Sequence, residues 1–224
     1  MNLSKSLEYF DPSKVTKRCH IIGCGSVGST VAELLARLGL TKISLYDFDT
    51  VSPHNLANQM FIESDIKSLK VEAVSRILNE INPEVKQDIQ IFAEGWKPGM
   101  RLSGYVFLCV DSIDVRKQIV KENLYNKSVL AMFDFRTRLE DAQHYAADWN
   151  DKKMVENLVA SMDFTHEEAA EATPVSACNI PLGVAPTVRI VANYGVANFM
   201  NFIRGKGLKK MIFTDIFNFD IDVY

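Results

Sequence analysis

Apolar and polar positions along the chain follow two periods, and the switches between them outline the elements. Arg18 to Gly23 is a short apolar run that stops at glycine. From Ser26 to Leu38, the residues Val27, Val31, Leu34, Leu35 and Leu38 fall on one helical stripe, and Gly39 comes next as a natural C-cap. Lys42 to Asp49 reads as a β-branched and aromatic strand ending in acids, succeeded by a polar loop and a helix from about Ser68 to Ile81 that Asn82-Pro83 stops. Val85 to Phe92, Tyr105 to Val110 and Val129 to Phe135 are further predicted strands, with a helix from about Ser112 to Asn123 between the last two. Strands alternating with helices in this order predict a largely parallel sheet covered by helices.

Beyond residue 140 the pattern changes. Gln143 to Trp149 predicts a strand, and the charged stretch Asp151 to Thr173 a helix and then a mobile loop. Residues 183 to 204 form the most apolar helix, and Lys210 to Tyr224 alternates apolar with acidic residues as one added, half-exposed strand. No repeat, low-complexity tract or linker divides the 224 residues, so a single domain over 1–224 is expected.

Composition narrows the function classes. The chain carries 25 basic and 28 acidic residues for a net charge of −3, so no general cationic field exists to attract nucleic acid or an anionic membrane, and neither is expected as a partner. The N-terminus lacks the basic-then-apolar run of a signal peptide, and the longest apolar stretch, 182 to 203, is interrupted by Arg189, Asn193, Asn198 and Asn201. A soluble cytoplasmic protein is expected. Cys19, Cys24, Cys109 and Cys178 contain no C-x-x-C pair, which argues against a disulfide framework or a zinc site, and His20 and His54 have no metal-like spacing with other ligands.

The first chemical motif is Gly23-Cys24-Gly25-Ser26-Val27-Gly28, a G-x-G-x-x-G between a strand and an amphipathic helix. Glycines allow the tight turn and the close approach of backbone N–H groups to phosphate oxygens, and the helix N-terminus adds partial positive charge. Asp47 lies nineteen residues beyond Gly28, about the spacing at which an acid meets a ribose hydroxyl. Spacing alone leaves NAD and ATP open, and Asp47 or Asp49 as a mere loop cap also stays open. The expected fold class is α/β, a Rossmann-like, mostly parallel sheet flanked by helices with antiparallel strands added in the C-terminal half.

The segment downstream is more specific: Asp47-Phe-Asp49-Thr-Val51-Ser-Pro-His54-Asn55-Leu56-Ala-Asn58-Gln59, then Lys70, then Asp111 and Arg116. In this ordered set the sequence resembles the ThiF/MoeB/HesA family of adenylate-forming enzymes over roughly residues 15 to 205, whose usual pattern is D-x-D-x-V-x-x-x-N-x-x-R-Q, then K, then D. The resemblance implies ATP-dependent adenylation of the C-terminal carboxylate of a small ubiquitin-like or sulfur-carrier protein, or a peptide, with Mg2+ and release of pyrophosphate. On that reading Gly23, Gly25, Ser26 and Gly28 form the cradle, Asp47 and Asp49 lie at the ribose, Asn55, Gln59 and Lys70 line the phosphates, and Asp111 sits near the metal and the reacting phosphate. A homodimer is implied as well.

Two departures matter. Asn58 stands where the family pattern has arginine, and it cannot neutralise phosphate oxygens. No arginine matching the family's upstream one is evident before Gly23. Arg136 or Arg138, at the predicted carboxyl end of a strand, is a candidate replacement cation, with a solvated loop arginine as the alternative. Cys178 is a candidate thioester or persulfide thiol, with a packed helix-terminal cysteine as the alternative. Asp111 has the alternative of capping the next helix, and Arg116 that of a structural ion pair, for instance with Asp114. A catalytically weak or inactive binding module is the competing function. An NAD(P)-dependent oxidoreductase is a more distant one, since it gives no reason for Asn55, Lys70 and Asp111 in order.

Overall fold

The computed structural model describes residues 1–177 and 181–224. The expected first alternation is present: β1 (Cys19–Ile22), α1 (Ser26–Arg37), β2 (Ile43–Tyr46), α2 (Lys70–Ile81), β3 (Gln90–Phe92), β4 (Gly104–Leu108), α3 (Ile113–Asn123) and β5 (Val129–Thr137). Then come β6 (Asp141–Asp148), α4 (Lys152–Ala160), α5 (His166–Glu171), α6 (Ala185–Ile203), β7 (Met211–Asp215) and β8 (Asp220–Val223). The described strands form one eight-stranded sheet in the order β3-β2-β1-β4-β5-β6-β7-β8. Pairing is parallel from β3 through β5 and antiparallel from β5 through β8.

The central strands are buried on both faces, which is why they read as short, mostly apolar runs with only His20 and Ser44 as polar members. One face packs Cys19, Ile21, Leu45, Phe107, Phe133 and Phe135 against α1, α2 and α6. The other packs Ile22, Val106, Leu108 and Met132 against α3 and α4. Helix α1 ends as its sequence requires: Gly39 takes φ +87°, its N–H donates to Ala36 O, and the Leu40 N–H reaches back to Leu35 O. Helix α6 lies so close to β5 that a Cβ at Gly195 would fall 2.0 Å from the Phe135 ring.

Three stretches depart from the sequence-based expectation. The strand expected from Val85 shrinks to Gln90–Phe92, because the Asn82 side chain accepts from Glu84 N and Pro83 opens a 3-10 turn over Pro83–Gln87. Asp151 to Thr173 is two capped helices rather than a helix and a mobile loop: Asp151 caps α4, and Thr165 with Glu168 forms a capping box at α5. The tail is a hairpin, not one strand. Asp215 Oδ1 accepts the N–H groups of Phe217 and Asn218, Phe219 takes φ +59°, and the chain folds back as β8 on β7. No helix among the described residues is long and apolar enough to cross a membrane.

Candidate functional site

The strand order reverses between β1 and β4, and the crevice at the carboxyl ends of strands at such a switch point is where open α/β sheets bind ligands. The glycine loop lies there. Gly23 has φ +92° and is pressed against the backbone after β4, so that a Cβ would stand 2.8 Å from the carbonyl of Cys109. A Cβ at Gly28 would meet Gly23 O at 1.8 Å, which closes α1 onto the turn, whereas Gly25 opens into free space within 4 Å. Two glycines are thus required by packing, and the third leaves room for a ligand.

Asp47 closes the loop from β2. Its Oδ2 accepts the Cys24 N–H at 2.7 Å and its Oδ1 the Asp49 N–H at 2.8 Å. Burial pushes its carboxyl upward, opposed by those two N–H groups and by Lys70. The chain after Asp49 doubles back: Thr50 bridges Leu69, and the Lys70 N–H donates to Asp49 O. This seats Lys70 at the first position of α2, buried, with Nζ 2.7 Å from Asp49 Oδ2. A cation at a helix N-terminus opposes the helix dipole, and such a local conflict is a mark of functional sites. Asp49 is half exposed, so the pair opens to the solvent side.

Asn55 is buried, and its Oδ1 accepts the Ser52 N–H at 2.9 Å, closing the 3-10 turn Pro53–Ala57. Asn58, at the end of that turn, donates to Gly183 O at 3.3 Å, and the buried Gln59 Oε1 has no partner among the described residues. Asp111 comes after β4 on the exposed rim and makes no hydrogen bond or ion pair with a described residue; Ser112, not Asp111, caps α3 by accepting from Val115 N. Of the cysteines, Cys19 and Cys24 are buried and Cys109 is half-buried, and desolvation holds all three thiols far up. Cys178 lies outside the described residues.

The two arginines of the 136–138 segment have internal partners. Arg136 Nε donates to Asp134 Oδ2 at 2.7 Å, its terminal nitrogens donate to Ser161 O and Oγ, and the guanidinium lies 4.4 Å from the Tyr145 ring centroid. Arg138 is paired with Asp141 at 2.9 Å. Arg116 pairs with the fully buried Asp134 rather than with Asp114, and it also donates to Val110 O and Phe135 O. It therefore ties the segment that carries Asp111 to the end of β5. Sequence reasoning misses Asp134, although an acid set between Phe133 and Phe135 is the signal that could have found it.

The structure thus brings the glycine loop, Asp47, Asp49 and Lys70 into direct contact and sets Asp111 on the next strand end, while Arg136 is held by buried protein partners and Arg138 pairs with Asp141 at the surface. Among the described residues no three His, Cys, Asp or Glu side chains group as a metal site.

The ThiF family profile matches residues 14–223. Ubiquitin-like modifier-activating enzyme 5 of Drosophila willistoni is 32% identical over 136 residues, covering 53% of this chain and 32% of that protein. The protein of the same name from Culex quinquefasciatus is 44% identical over 71 residues, 31% of this chain and 18% of its own length. The chain therefore spans about a third or less of these curated relatives. Among solved structures, E. coli MccB with ATP superposes with a TM-score of 0.75 at 19% identity, covering 95% of this chain and 65% of that one. PaaA superposes at 0.72 with 16% identity, over 95% of this chain and 65% of that one. At such identities the likeness is one of fold.

Proposed function

The chain belongs to the ThiF family, and from that premise we propose that it adenylates the C-terminal carboxylate of a small ubiquitin-like or sulfur-carrier protein, or of a peptide, at the expense of ATP. A carboxylate oxygen attacks the α-phosphorus, the new P–O bond gives an acyl adenylate, and the bond to the leaving pyrophosphate breaks. Nucleotidyl transfer of this kind needs positioning and charge neutralisation more than covalent help from the protein. The observation that carries the reading is Lys70, buried at the start of α2 with Asp49 as a half-exposed counter-ion, beside a glycine loop at the sheet's switch point.

In this reading Gly23, Gly25, Ser26 and Gly28 cradle phosphate, and Asp47 and Asp49 face the ribose. Lys70 exchanges Asp49 for a phosphate oxygen, with Asn55 and Gln59 along the same loop. Mg2+ would be held by Asp111 and the nucleotide's own oxygens, a donor set that suits an ion bound through one or two carboxylates, phosphates and water. Arg136 acts as a positioning residue, fixing α4 and the β5 end through Ser161 and Asp134. Support for ATP comes from the fold shared with a protein solved in its presence. The homodimer implied by the family resemblance and the cytoplasmic setting expected from the sequence belong to the same proposal, as does a thioester or persulfide role for Cys178.

Calorimetry with Mg-ATP, NAD and NADP tests it on the wild type and on Lys70→Ala. Selective Mg-ATP binding that weakens by about tenfold or more in the variant is expected, the loss of one charge-assisted contact. Pyrophosphate exchange with candidate carriers is the second step. Preference for NAD would replace the reading with an oxidoreductase. Binding without exchange, with every carrier tried, would favour the inactive module that Asn58 suggests.

A further inference from the structure

We infer that Arg189 is a phosphate-binding residue of this site and supplies the second cation that the loop around Asn58 lacks; the inference rests on the proposed ATP reading. A triphosphate needs more neutralisation than Lys70 alone provides, and the arginines nearest the strand ends are already engaged. Arg116 and Arg136 share Asp134, and Arg138 is paired with Asp141. Arg189 differs from all of them. It is half-buried, has no ion pair among the described residues, and its guanidinium donates to the Met60 thioether, a weak acceptor that leaves the charge uncompensated.

Its position is set by a short chain of contacts. The Met60 N–H donates to Ser29 Oγ at 3.3 Å, and Ser29 Oγ donates to Ser26 O at 3.3 Å, in the first turn of α1 directly after the glycine loop. Helix α6, which carries Arg189 in its second turn, starts at the same end of the sheet. Thr187 donates to Leu139 O in the turn after β5, and Gly183 accepts from Asn58. Side chains on a helix lean toward its N-terminus, so the long Arg189 side chain is directed from α6 toward the strand ends. Gln59, next to Met60 in the chain, has a buried Oε1 without a partner among the described residues, a polar atom that a donor on a bound nucleotide or its water would satisfy. A bidentate arginine beside an uncharged Asn58 restores the kind of donor that phosphate recognition uses.

The test measures dissociation constants for Mg-ATP and for AMP by calorimetry on the wild type, Arg189→Gln and Met60→Glu. The second variant places a carboxylate against Arg189 without touching α6, and so keeps the test intact if the first does not fold. Either variant is expected to weaken Mg-ATP by about tenfold or more while AMP changes by less than about twofold, because AMP lacks the β- and γ-phosphates. The steepness of the ATP affinity with salt should also fall. Wild-type binding of ATP with ATP and AMP affected equally, or not at all, overturns the role of Arg189 and leaves the adenylation reading standing. Failure of the wild type to bind ATP overturns both.

Discussion

Two charge clusters stand at the carboxyl ends of the strands, and they are built in opposite ways. In the Arg116, Asp134 and Arg136 chain, both carboxylate oxygens are taken by guanidiniums, and further donors go to Val110 O, Phe135 O and Ser161. Asp134 is fully buried there. In the other cluster a buried lysine leans on an aspartate whose side chain is 51% exposed. The closed cluster spends its carboxylate and most of its directed donors on the protein and fixes geometry. An open one keeps its cation dry and leaves its counter-ion exchangeable. Burial of charge thus marks the site only where the partner faces out.

Breaking the closed cluster gives the largest effect. Asp134→Ala leaves two guanidiniums facing each other across a buried gap, and urea denaturation should show a loss of about 3–5 kcal/mol. A loss below about 1 kcal/mol would mean that the cluster is already solvated and the contrast false.

The next effect is on pH. His144 donates from Nδ1 to Asp134 O and accepts from Asn198 at Nε2, and burial lowers its pKa to about 4; His20 is lowered to about 4 by the same cause. Each binds its proton more weakly folded than unfolded. The stabilisation is therefore complete above the unfolded value near 6.5 and is lost as pH falls toward 4, by up to about 1.4 kcal/mol per pH unit for each histidine. Denaturation at pH 7 and pH 5 should show this slope, and His144→Gln should remove about half of it.

The smallest effect sharpens the comparison from the open side. Lys70→Met should change folding stability by less than about 1 kcal/mol, since Asp49 is rehydrated at once. Urea midpoints of the two proteins check it, and a collapse on the scale of Asp134→Ala would place Lys70 among the structural charges.

Most of the fold was legible because both periods are strong in the N-terminal half. Parallel strands buried on both faces leave apolar runs, and helices covering them leave stripes, so β1 to β5 and α1 to α3 could be ordered from the chain alone. The tail misled because alternation persists through its turn: Asp215 and Asn218 bend the chain while Phe217 and Phe219 keep the apolar rhythm, both exposed in the turn. The T-x-x-E at Thr165 to Glu168 was a readable cap that the charged composition obscured.

For the site, the sequence by itself determined the ingredients: three glycines between a strand and a helix, acids at the end of β2, a lysine opening α2 and an aspartate after β4. These are local, because each sits within a few residues of an element boundary that periodicity reveals. The tertiary structure alone decided which charges are free. On sequence Arg136 is a candidate cation and Arg189 only a break in an apolar stretch, but Asp134 and Ser161 engage the first, and a thioether meets the second. Partners of that kind come from elements distant in the chain and brought together by packing, and no local pattern of residues carries that information.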